Sequence, residues 1–217
     1  MADITLYIGN KNYSSWSLRA WLTMRRLDQE FEEVVIPLRE KETHEMIQRF
    51  SPSGKVPVLH HRGHVIWDSL AIAEFLAETY PKNRLWPRRS EKRDLARSVS
   101  AEMHSGFLDL RRTLPMNMRS SFPGREVTAA AQADINRITA IWRDCRMRYG
   151  GSGDFLFGDF TIADAMFAPV VSRFRTYDVV LDDLPRAYAD ALWNMPDVKL
   201  WYEAARNEPW IIPEFEF

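Results

Sequence analysis

Ile4, Leu6 and Ile8 alternate with Thr5 and Tyr7, the two-residue period of a strand. Gly9-Asn10-Lys11-Asn12 breaks that pattern, and Ser14-Ser15-Trp16-Ser17 offers several N-caps for a helix over 18–27, where Leu18, Trp21, Leu22 and Arg25 recur at helical spacing. Residues 31–36, with Val34, Val35 and Ile36, predict a second strand that Pro37 ends. A charged stretch over 40–50, with Met46, Ile47 and Phe50 on one side, predicts a short exposed helix. Two short strands follow at 58–61 and 65–67, joined at Arg62-Gly63. A helix then starts at Ser69 and runs until Pro81, with Leu70, Ala73, Phe75, Leu76 and Thr79 inward. The order is β-α-β-α-β-β-α. From residue 91 no strand pattern persists, and helical periods cover 91–114, 128–149, 162–177, 185–193 and 198–206. The chain therefore divides into an α/β thioredoxin-like domain (1–80), a proline-bounded linker (81–90) and an all-α helical domain (91–217).

Composition narrows the chemistry. The 217 residues are 46% hydrophobic and 27% charged, near globular averages, so a disordered chain is excluded. Lys and Arg total 29 against 30 Asp and Glu, which argues against a nucleic-acid or membrane-surface partner. The single cysteine, Cys145, leaves no intramolecular disulfide and no multi-thiolate metal site, and its helical setting reads as packing. No apolar run is long enough to span a bilayer, and the start lacks a secretory pattern, so a cytoplasmic protein is expected.

Three segments are candidates for chemistry. In Lys55-Val56-Pro57-Val58-Leu59 the proline enters a strand without an N–H, which suits an edge or a turn and leaves Val56 free to pair with an extended ligand. In Trp67-Asp68-Ser69-Leu70 a strand hands over to a helix; the Ser69 hydroxyl with the first helical N–H groups suits a carboxylate, and Asp68 suits an ammonium. Tyr13-Ser14-Ser15-Trp16-Ser17-Leu18-Arg19 lies beyond the carboxyl end of the first strand, where ligands of open α/β sheets gather. Each also has a plain structural reading, as a loop proline or a helix cap. His60, His61 and His64 are split between the faces of a hairpin, against a metal site. Arg25-Arg26, Arg88-Arg89 and Arg111-Arg112 read as solvated or interface charge.

Together these segments resemble glutathione transferases, over essentially the whole chain. Ser14-Ser15-Trp16-Ser17-Leu18-Arg19 is similar to the Ser-Ser-Cys-x-x-Arg signature of the zeta class, with Trp16 in the cysteine's place, and 51–59 resembles the family's segment around a cis proline. Asp68-Ser69 matches its acidic-Ser pair, and Gly158-Asp159-Phe160-Thr161-Ile162-Ala163-Asp164 its helix-capping segment. The resemblance implies glutathione as cosubstrate, a homodimer and a small-molecule electrophile. Asp68 and Ser69 would hold the γ-glutamyl end, Val56 beside Pro57 the cysteinyl backbone, and Lys55 the glycine carboxylate. Ser14, with Ser15 beside it, would meet the thiol, and Arg19 would support that loop. Phe107, Leu110, Met116 and Met118 fall where family members line the hydrophobic electrophile pocket, and at helical spacing they read equally as core. Trp16 would reshape that pocket, and Arg173 or Arg175, on the helix after the capping segment, would steer an acidic electrophile or form an interdomain salt bridge. The absence of a cysteine near the site argues against mixed-disulfide chemistry. A free thiol of pKa about 8.5 is only about 3% ionised at neutral pH, so a useful site lowers that value by roughly two units, or about 2.7 kcal/mol. The rival expectations are a glutathione-binding module without turnover and a glutathione-dependent peroxidase or zeta-type isomerase.

Overall fold

The alternation at the start of the chain becomes β1 (Ile4–Ile8), buried at every position because it is an inner strand of a four-stranded sheet. A computed structural model describes residues 3–217. The sheet order is β2 (Glu32–Val35), β1, β3 (Val58–His61), β4 (His64–Trp67). β1 runs parallel to β2 and antiparallel to β3, with Leu6 opposite Leu59 and Tyr7 opposite Val58. That mixed pattern follows from the connections: a helical crossover returns β2 parallel, whereas the turn at Arg62-Gly63 makes β3 and β4 a hairpin. The period of two sends Ile4, Leu6 and Ile8 to the main core and Tyr7 to a smaller cluster with Ile36, Ile47 and Val58.

α1 (Ser15–Arg25) and α3 (Ser69–Thr79) pack together on the main-core face, and α2 (Thr43–Gln48) contributes Ile47 to the smaller cluster on the other. The inward face of α3 differs from the sequence expectation. Ser69, Ile72, Ala73 and Leu76 are buried, Leu70 and Phe75 are half-buried, and Thr79 is exposed.

The helical half comprises α4 (Ser90–Ser105), α5 (Leu108–Thr113), α6 (Ala129–Cys145), α7 (Ile162–Thr176), α8 (Asp183–Trp193) and α9 (Pro196–Asn207). The single helix expected over 91–114 is two, because Phe107 takes a left-handed conformation with φ 60°. α6 continues into a wider π-helical turn at Arg146–Gly150. α7 is buried over almost its whole length and packs on α1 and α4, so the second half is built around a helix that also supports the first. Its start carries a reciprocal capping box: Asp164 Oδ2 accepts from the Thr161 N–H (2.8 Å) and hydroxyl (3.1 Å), and Oδ1 accepts from the Leu156 N–H (3.1 Å). Among the described residues no helix is long and apolar enough to cross a membrane.

Candidate active site

The loop after β1 and the loop before β3 converge on the start of α1 and open a cleft of about 970 Å³ against the helical half. Ser14 is the N-cap of α1. Its Oγ accepts from the Ser17 N–H (3.4 Å) and donates to Ser17 Oγ (2.7 Å), which itself accepts from the Gly9 N–H (3.0 Å). Ser15 is the first residue of the helix. Both serines line the cleft, and α1 aims its positive end there.

Val56-Pro57 is a cis peptide, and Val56 makes no backbone hydrogen bond among the described residues. Lys55, Val56 and Pro57 line the same cleft, Lys55 with its side chain in solvent. Arg39, which the sequence did not single out, lines the cleft with them. Asp68 and Ser69 complete this edge. Asp68 has φ 72°, a conformation that costs a non-glycine residue of the order of 1–3 kcal/mol and concentrates at functional sites. It is also the N-cap of α3, with Oδ1 accepting from the Leu70 N–H at 2.8 Å. The Ser69 hydroxyl is buried with no partner among the described residues, as a donor reserved for a ligand would be.

The far wall comes from the helical half, and here the sequence reading needs correction. Arg175 is exposed, near Asp190 (3.6 Å) and stacked on Trp193, away from the cleft. Arg173, one helical half-turn earlier, is 4% exposed and lines the cleft. Phe107 is packed in the core rather than on the cleft wall, because its left-handed backbone turns it inward at the α4–α5 break. Leu110, Met116 and Met118 are core as well, and Met116 also lines the cleft. Arg111 is not a solvated charge. Its Nε donates to the Gly106 carbonyl (3.0 Å) and Nη2 to that of Met103, which closes the end of α4, and Nη1 is buried without a partner.

Trp16 lines the cleft, but its ring is also a platform. The guanidinium of Arg19 lies 4.7 Å from its centroid and that of Arg111 5.3 Å, while His104 meets its edge at 5.0 Å. Arg19 is 1% exposed, and none of its three side-chain nitrogens has an acceptor among the described residues. Burial, then repulsion from Arg111 and Arg173, holds it well below the usual arginine range. Burial, with Arg111 beside it, brings Arg173 down to about 9. Three guanidiniums thus converge near one end of the cleft, and Asp68 is the one acidic group that offsets Arg19. His104, not anticipated from sequence, reaches from α4 to within 3.3 Å of Asp68 Oδ2. Cys145 lies in the core, where burial pushes its thiol up to about 12. Of the hairpin histidines, His60 bonds the Phe50 carbonyl and His61 the Tyr80 hydroxyl, each at 2.7 Å, while His64 is exposed.

A family model described as the glutathione S-transferase N-terminal domain matches residues 13–79, and one for the C-terminal domain matches 125–204. The chain belongs to the glutathione S-transferase family. It is 29% identical to a probable maleylacetoacetate isomerase of Caenorhabditis elegans, over 83% of each chain. It is equally 29% identical to glutathione S-transferase 1 of Dianthus caryophyllus, over 93% of this chain and 89% of that one. A crystal structure of a glutathione transferase homologue from Burkholderia with bound glutathione superimposes with a TM-score of 0.71 at 26% identity, over 95% of this chain and 100% of the other. The glutathione S-transferase fold accounts for the thioredoxin-like sheet, the cis proline ahead of β3 and the all-helical second half.

Proposed function

We propose that this chain is a glutathione transferase that ionises the glutathione thiol at the start of α1 and conjugates or isomerises a small electrophile carrying a carboxylate. Residues 1–80 serve as the glutathione-binding domain, 81–90 as the linker and 91–217 as the electrophile-binding domain. Asp68 takes the γ-glutamyl ammonium, and the unpartnered Ser69 hydroxyl with the first N–H groups of α3 takes its carboxylate. Val56 pairs with the cysteinyl backbone as an added strand would, and Lys55 and Arg39 lie toward the glycine carboxylate. The sulfur then faces Ser14 and Ser15 and the positive end of α1. A hydrogen bond to the charged form, about 1.5–3 kcal/mol, together with about 0.3–1 kcal/mol from the helix end, supplies the thiolate stabilisation required.

The observation that carries the electrophile's charge is the arginine cluster. Buried charges cost several kcal/mol each; Arg19 has no acceptor among the described residues, and Arg111 and Arg173 donate to backbone carbonyls (Gly106 and Met103, Leu114 and Pro169) rather than to a carboxylate. A ligand carboxylate would end that deficit. One relative is named for its action on maleylacetoacetate, an organic acid, which agrees with this chemistry. The cytosol, where thiols are kept reduced, is the proposed setting. A second copy of the chain is the proposed partner, and the edge strand β4, with Val65 and Trp67 exposed, supports it; sedimentation at a mass of one chain would overturn that part.

The test is an ultraviolet titration of bound glutathione beside an electrophile panel. The reading requires the thiol to ionise at least one pH unit lower than in buffer, and acidic electrophiles to turn over faster than neutral ones of the same shape. A bound thiol that ionises as it does in solution would sink the first half. Equal turnover of acidic and neutral substrates would sink the second.

A further inference from the structure

The last ten residues of the chain are tied to the loop that delivers the two serines. Tyr13 immediately precedes Ser14 and is 6% exposed. Its hydroxyl donates to Glu216 Oε1 and accepts from Arg119 Nη2 (2.8 Å) and from the Ile212 N–H (3.2 Å). Glu216 accepts further from Arg119 Nη2 (3.3 Å) and, on Oε2, from the Ser120 hydroxyl (3.2 Å). At the other end of the segment Glu208 accepts the N–H groups of Lys11 (2.6 Å) and Asn12 (3.0 Å). Between these two anchors, Ile212 and Phe215 line the cleft beside Tyr13.

We propose that Glu216 is a positioning residue for the transfer reaction: acting through Tyr13, it fixes the Ser14-Ser15 turn on one side and the Ile212–Phe215 wall of the electrophile pocket on the other. The inference rests on the glutathione reading above. The Tyr13 hydroxyl has two donors and one acceptor around it, so its single proton is committed to Glu216 and it is not a free acid for the substrate. What the tyrosine fixes instead is the backbone one residue ahead of the N-cap. A nucleophile misplaced by about 1 Å loses on the order of 100-fold in rate. A single carboxylate therefore couples the chain's end to the site where the thiol is held.

The experiment compares wild type with Glu216→Ala, Glu216→Gln and Tyr13→Phe. Each is assayed for kcat, for KM with glutathione, and for the pH midpoint of bound-thiol ionisation. Glu216→Ala is expected to lower kcat by about 10-fold or more, raise the midpoint, and leave the glutathione KM within about threefold, since the binding edge at 55–57 and 68–69 is untouched. Glu216→Gln keeps an oxygen for the Tyr13 proton and should recover most of the loss. Tyr13→Phe keeps the ring and deletes the shared hydroxyl, so it should reproduce Glu216→Ala and stands in for it if that variant does not fold. A lower melting temperature with kcat and midpoint unchanged would reduce Glu216 to a stability contact and overturn the inference. A wild type that fails to ionise glutathione overturns the underlying reading instead, which separates the two failures.

Discussion

Ser14 and Ser17 hold one proton between their hydroxyls, and both rotors turn. If Ser17 donates, its Oγ still accepts from the Gly9 N–H, and the Ser14 proton is released toward the cleft. Ser14 then faces a thiolate as a donor already polarised from behind, whereas Ser15 has no such support. Ser14→Ala should raise the bound-thiol midpoint and, by losing the cap, cost about 1 kcal/mol of stability by thermal unfolding. Ser15→Ala should move both less; the opposite ranking would exchange their roles. Arg19 makes a contrary prediction. Its guanidinium is buried and without acceptors, so Arg19→Met should stabilise the free protein, by about 1–4 kcal/mol, while weakening acidic electrophiles in KM. A destabilised Arg19→Met with normal KM would mean that its stacking on Trp16 outweighs its charge. At this scale the sequence was legible wherever the signal is local. Asp68, Ser69, Pro57 and the serines are read from neighbours within a few residues. Arg111 and Phe215 reach the cleft, and His104 reaches Asp68, only through the packing of segments distant in sequence, which no local period reveals; the same packing decides that Arg173 rather than Arg175 faces the cleft.

Among elements, the α4–α5 break shows where periodicity misleads. Leu110 and Leu114 continue the helical spacing of α4, so the pattern reads straight through 91–114. The interruption is held by tertiary contacts: Arg111 takes the Gly106 and Met103 carbonyls, and Asp134 Oδ2 accepts the Leu110 N–H at 2.9 Å. The turn brings Arg111 over Trp16. Gly106 marks it, since a Cβ there would sit 2.8 Å from the Glu102 carbonyl oxygen. Gly106→Ala should therefore cost about 1–3 kcal/mol in denaturant unfolding and raise the KM for acidic electrophiles as Arg111 shifts. A neutral effect on both would show that the turn has slack. The start of α7 contrasts with this, because its capping box is written within the four residues Thr161 to Asp164 and is legible from sequence alone.

Across the whole molecule the cleft is a seam between two halves, and His104 bridges it to Asp68. Burial, together with the positive charge of Arg19 and Arg111, lowers the His104 pKa below the ordinary 6.5, although Asp68 pulls the other way. The sign of the pH effect follows. As pH falls through about 6.5, the unfolded chain takes up a proton on this imidazole while the folded chain does not, so the unfolded state gains. This share of stability is present above about 6.5 and is lost on the way down to the depressed folded value. Other groups titrate in the same range; Asp164, raised by burial to about 6, works in the opposite direction. A difference between proteins cancels them. His104→Gln keeps a polar group at the seam without the titration. Its stability relative to wild type, from denaturant curves at pH 7.5 and 5.5, should improve at the lower value. Saturating glutathione changes the comparison, because its ammonium competes for Asp68 and removes the one contact that favours protonated His104. With the tripeptide bound, the gap between the two proteins should widen further at pH 5.5. A gap unchanged from pH 7.5 to 5.5 would place the imidazole in solvent and disconnect it from the ligand's amino end.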